Sequence, residues 1–143
     1  MGMSFITFRG TTVQVSGSHA QEATLLVLEE VESRHMAAPG DQLLAEWLRG
    51  WKHQFHLSLT PGLAAPNLDK WATDAGTTAL LAAIVRGARQ RALALGDPAD
   101  RRVLQSMVSK WGVPEEELCY TRDFPMARVV EVLDVMVRLL DAQ

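Results

Sequence analysis

The sequence predicts a mainly α-helical fold, an irregular bundle of five to six helices preceded by an N-terminal β-hairpin. Three observations carry this. Residues 4–16 alternate between apolar and polar types around Gly10, and beyond residue 18 apolar side chains recur at three- and four-residue spacing. Gly or Pro, accompanied by Asp, Ser or Asn, interrupts the chain between the periodic stretches. The chain of 143 residues, 48% of them apolar, is long enough for one domain with its own core, divided into a hairpin over about 4–16 and a bundle over about 18–141.

In the hairpin, a loop at Arg9 and Gly10 or at Gly10 and Thr11 puts Ile6, Phe8, Val13 and Val15 on one face. Phe5, Thr7, Thr12 and Gln14 take the other, so one side is dry and one is mostly wet. Ser18 followed by Gln21 has the spacing of a capping box and starts a helix that runs to about Met36. The run of Leu25, Leu26, Val27 and Leu28 would also suit a buried strand, but Glu29, Glu30 and Glu32 carry the segment past strand length. Asp41 caps a second helix, on which Leu43, Leu44, Trp47, Leu48, Trp51 and Phe55 form one apolar stripe.

A connection over 57–66, signalled by Pro61, Gly62 and Pro66, leads to a short turn at Trp71 after Asn67. The next helix is long, about 75–95, and stops at Gly96. Small residues at Gly76, Ala79, Ala83 and Gly87 let a neighbour approach closely, which makes this the expected central helix. A helix over 98–111 closes at Gly112, Pro114 starts a short one to about Tyr120, and Asp123 with Pro125 opens the last, to Leu140. The apolar arc of that last helix exceeds half its circumference. Val129, Val132, Met136 and Leu139 are therefore the candidate interface to a second subunit, and the marginal stability of a lone hairpin also points to a homodimer.

Composition excludes several function classes. A single cysteine, Cys119, rules out an internal disulfide scaffold, and a net charge of −3 argues against a surface devoted to nucleic acid or membrane. The longest apolar run, residues 79–85, falls far short of the roughly 20 residues of a spanning helix. With no basic, apolar leader at the N-terminus, a cytoplasmic location is expected.

Residues 104–120 have the outline of a helix-turn-helix beside a basic cluster of Arg86, Arg89, Arg91, Arg101, Arg102 and Lys110, the candidate nucleic-acid contact. Glu115, Glu116 and Glu117 oppose that reading, because they occupy the helix that would approach phosphates. His53 and His56 are three apart with Glu46 and Arg49 on the same polar face, the motive for a small metal-dependent hydrolase, but no third ligand lies nearby. His35 is expected to be partly buried and hydrogen-bonded. Asp74, Gly76, Thr77 and Thr78 resemble the phosphate loop of sugar-kinase and actin-like ATPases, yet no buried strand precedes them and helix capping accounts for the residues.

Glu29, Glu30 and Glu32 fan around their helix and are expected on the solvated surface. Cys119, flanked by Leu118 and Tyr120, is expected to be a buried, inert thiol. Trp47, Trp51 and Phe55 are expected in the core and not against a ligand. No catalytic residue, metal or cofactor is assigned. The leading expectation is a non-enzymatic regulatory or adaptor protein acting through protein-protein interaction as a homodimer; alternatives are a DNA-associated regulator and a small metal-dependent hydrolase.

Overall fold

A computed structural model describes residues 2–60 and 63–142, so the turn signal at Pro61 and Gly62 lies outside the described residues. Strands β1 (Met3–Phe8) and β2 (Thr11–Ser16) pair antiparallel, with Phe8 opposite Thr11 and Met3 opposite Ser16. Their loop is Arg9 and Gly10, at φ of 48° and 82°, the left-handed pair that a type I′ turn requires and whose twist suits the strands. Ile6, Phe8 and Val15 are buried on the inner face, as the alternation predicts.

Five helices follow: α1 (Gly17–Ala37), α2 (Gln42–Leu57), α3 (Ala75–Leu95), α4 (Arg101–Lys110) and α5 (Ala127–Asp141), with a 3-10 turn at Leu68–Lys70 before α3. The architecture is thus mainly helical behind a hairpin. Helix α1 is the centre of the bundle, in contact with α2, α3, α5 and the hairpin. That place was expected for α3. The reason lies in the apolar run: every residue of α1 from Glu22 to Leu28 is buried, and a helix apolar all round must be surrounded. On α3, Gly76 and Ala79 are exposed, while Ala83 and Gly87 face α1.

Caps decide where several helices begin. Asp41 accepts the Leu44 backbone N–H at 3.1 Å, as expected. Replacing Asp41 by Ala should cost about 1 kcal/mol, read as a lowered urea midpoint with unchanged slope. The Ser18–Gln21 capping box does not form; α1 starts a residue earlier, and Gln21 instead donates from Nε2 to the Ser58 carbonyl at 3.1 Å. Nor does Asp123 cap α5. It accepts the Arg101 N–H at the start of α4 (3.1 Å), while Asp97 accepts the Met126 N–H (2.8 Å).

The short helix expected from Pro114 to Tyr120 is absent, so the helix-turn-helix outline has no second helix. Residues 112–126 form instead an irregular strap, helical only where the Glu117 and Leu118 N–H groups meet the Pro114 carbonyl. Farther on, Gln105 of α4 bonds both the Leu118 carbonyl and the Tyr120 N–H at 2.9 Å, and Ala99 exchanges two backbone hydrogen bonds with Phe124. Those partners compete with helix. Among the described residues, no helix is long and apolar enough to cross a membrane.

Candidate functional site

The hairpin leaves one edge open. Sequence alternation and the Gly17 N–H to Gly2 carbonyl bond, 2.9 Å, mean that odd-numbered residues of β2 bond to β1. Thr12, Gln14 and Ser16 therefore direct their N–H and C=O groups away from β1. The outer edge of β1 is occupied at its Thr7–Arg9 end: Thr7 bridges Asn67, and the Arg9 N–H donates to both carboxylate oxygens of Asp69 at 3.1 and 3.2 Å. Among the described residues, no backbone group bonds the outer edge of β2.

Beside β2 lies an open groove of about 500 Å³, reaching α5. Val15, Val132 and Val135 give it an apolar wall, and His19, Arg128 and Glu131 bring polar groups to it. Burial lowers the pKa of the His19 imidazole, and the charge of Arg128 lowers it further, against an opposing pull from Glu131. Arg128 and Glu131 pair with each other at 3.3 Å and are both well exposed. Next to the groove, on the outer face of β1, Met3 and Phe5 are 51% and 54% exposed, large apolar side chains side by side in water.

A second feature is internal. Glu22 is 1% exposed, and burial alone pushes its carboxyl pKa up to about 8. Tyr120 of the strap donates its hydroxyl to Oε1, while Oε2 has no hydrogen-bond partner. Nothing in the sequence reading singled out Glu22. The available signal was its position one turn before Leu26 in the all-round apolar run, where any polar side chain must be buried.

The basic cluster is largely neutralised within the chain. Arg86 pairs with Asp141, Arg89 with Asp134 at 2.6 Å, and Arg91 with Glu30 at 2.9 Å. Lys110 reaches Glu29 at 2.7 Å and Glu32 at 2.8 Å. Burial pulls the Lys110 ammonium down, but the hydrogen bonds and charges of these two glutamates outweigh it and raise its pKa. Arg101 donates to the Thr121 carbonyl at 3.4 Å, and Arg102 lies on the exposed face of α4. Glu29, Glu30 and Glu32 are thus not a solvated run; they tie α1 to α3 and α4, and Glu29 also accepts the Trp111 indole N–H at 2.6 Å. A basic side chain held by its own carboxylate is a poorer phosphate ligand, which weakens four of the six expected contacts and leaves Arg101 and Arg102 without an ion pair among the described residues.

The other expected sites fare unevenly. Val129, Val132 and Met136 are buried in this chain's own core and Leu139 is half-buried, because α1, α3 and the hairpin together cover the wide apolar arc of α5. Val132 also reaches the groove beside β2, so this face of α5 is not wholly enclosed. Cys119 is exposed, not buried, since the strap holding it is not a packed helix. His35 is half-buried, but its Nδ1 has no hydrogen-bond partner.

His53 is exposed and His56 half-buried on the polar side of α2, and among the described residues no three His, Cys, Asp or Glu side chains converge as a metal site. Trp47, Trp51 and Phe55 are buried, with Trp51 stacked on Trp71 at 4.8 Å. Asp74 caps α3 in a reciprocal box with Thr77, whose backbone N–H at 2.7 Å is the main cause holding the Asp74 carboxyl below its usual range. No family model, curated protein or solved structure matches the chain.

Proposed function

We propose that the protein is a non-enzymatic regulatory or adaptor protein that works by binding protein, as a homodimer joined through the outer edge of β2. The observation that carries this reading is that open edge, bordered by an apolar groove. A two-stranded hairpin is marginal in water, and a free edge pairs with whatever strand is presented to it. A second copy suits it well. Antiparallel β2–β2 pairing about a twofold axis near Gln14 makes a four-stranded sheet in which each edge is its own complement.

Charge supports the same partner. Arg128 and Glu131, of opposite sign, both line the groove, so the twofold can place each against its counterpart in the other copy. The pairing also gives the dimer two apolar patches of Met3 and Phe5, one on each outer strand, with the polar Gln14 side chains between them.

Gln14→Pro tests the arrangement, because the lost N–H points outward and β1–β2 pairing keeps its bonds. Light scattering at micromolar to submillimolar concentration should give a dimer mass for the wild type and a monomer mass for Gln14→Pro, with unchanged circular dichroism. A monomeric wild type overturns the homodimer, and a dimeric Gln14→Pro overturns the edge as its interface.

A further inference from the structure

We propose that the strap over residues 112–126 is a pH-sensitive cover, closed on α1 while Glu22 is protonated and lifted when Glu22 ionises. This goes beyond the dimer reading and stands independently of it. Glu22 projects from α1, the most enclosed helix, yet what covers its carboxyl is Tyr120, on the least regular segment of the chain.

The strap buries little apolar surface between its ends. Val113 and Met126 at its ends are buried, Leu118, Tyr120 and Phe124 are half-buried, and the remaining residues from Pro114 to Pro125 are exposed. Its ties to the bundle are mainly polar. Tyr120 reaches Glu22 and the Phe124 ring meets the His19 ring edge-on at 6.0 Å, while Gln105, Ala99, Asp97 and Arg101, all in or just before α4, bond the backbone of 118–126 or the Asp123 carboxylate. Segments with few apolar contacts open locally at much lower cost than the core unfolds.

Ionisation bears directly on the Tyr120 contact. A buried carboxylate needs several donors, but here one oxygen has the Tyr120 hydroxyl and the other has none. Burial raises the Glu22 pKa, and among the described residues no Lys, Arg or His forms an ion pair with its carboxylate. Tyr120 touches the carboxyl, and one turn away on α1 stands His19, whose own charged neighbours are Arg128 and Glu131. His19 titrates below its ordinary value and is neutral where Glu22 ionises. Water is thus the remaining source of donors, and lifting Tyr120 is the shortest way to admit it.

Linkage fixes the form of the test. A strap closed over protonated Glu22 and open over ionised Glu22 has an opening constant that rises about tenfold per pH unit between the exposed and the buried pKa, then levels off. Amide hydrogen exchange of the strap, corrected for the intrinsic rate and followed at Tyr120 and Phe124, should accelerate in this way up to about pH 8 in the wild type. Core amides of α1 and α3 should stay at least about a hundredfold slower throughout. In Glu22→Gln the corrected rates should be flat. Tyr120→Phe, which keeps the ring and removes the donor, should move the levelling-off to higher pH. Flat rates in the wild type, an unchanged slope in Glu22→Gln, an unmoved plateau in Tyr120→Phe, or strap amides no faster than the core would each overturn the proposal.

Discussion

Glu22→Gln should remove the fall in stability that the wild-type protein shows between about pH 5 and 8. Below pH 4.5 the carboxyl is protonated whether the chain is folded or not, and it imposes no penalty. As pH rises from there the unfolded chain releases the proton and the folded chain keeps it, so stability drops by about 1.4 kcal/mol per unit. Above the folded value of about 8 both states are ionised and the loss is constant, on the order of 5 kcal/mol. Gln keeps the shape and the acceptor for Tyr120 but cannot titrate. Its unpartnered amide offsets part of the gain, so the diagnostic is the slope and not the absolute value. Urea midpoints at pH 5, 6.5 and 8 settle it, and parallel wild-type and variant profiles would assign the pH dependence elsewhere.

The second large effect is a change of sign. Ala is ordinarily better than Gly inside a helix by about 1 kcal/mol, yet Gly50→Ala should destabilise this protein by about 2 kcal/mol. A Cβ at Gly50 would stand 2.3 Å from Cη2 and 2.6 Å from Cζ3 of the Trp71 indole. That ring has no room to retreat. It stacks on Trp51, meets Trp47 edge-on at 5.9 Å and carries Lys70 at 5.2 Å. Trp71→Ala alone should cost about 3 to 5 kcal/mol, and in its background Gly50→Ala should turn stabilising. The double-mutant cycle measures this directly; a Gly50→Ala that stabilises the wild type would show that the indole yields easily.

Much of the scaffold was legible because local signals and tertiary demands agree. Asp41 and the stripe from Leu44 to Phe55 fixed α2, and the limits of α3 fell at the expected residues since a cap at Asp74 and a left-handed Gly96 bound it. Where a local signal had a distant competitor, the competitor won. Ser18 and Gln21 had capping spacing, but Gln21 found the Ser58 carbonyl. Pro114 and its glutamates could begin a helix, but Gln105 and Ala99 draw the following residues out, and Cys119 goes with them into solvent.

The candidate site was less legible. The open edge of β2 follows from the hairpin register once the loop is known, but whether 67–69 would cover β1 or β2 is a tertiary fact. Glu22 looked like one acid among many. Its burial depends on what surrounds α1, just as the basic cluster depends on carboxylates 45 to 81 residues away in sequence. Local spacing carries no trace of such partners.

The internal ion pairs also govern how the molecule is seen from a distance. With Arg86, Arg89, Arg91 and Lys110 each facing a carboxylate of the same chain, their fields largely cancel beyond a few ångströms. Glu115, Glu116 and Glu117 have no cation on them among the described residues and remain as a concentrated negative pole. Under the homodimer proposal, that pole disfavours strap-to-strap encounters of two copies and biases their collisions towards other faces before any contact forms.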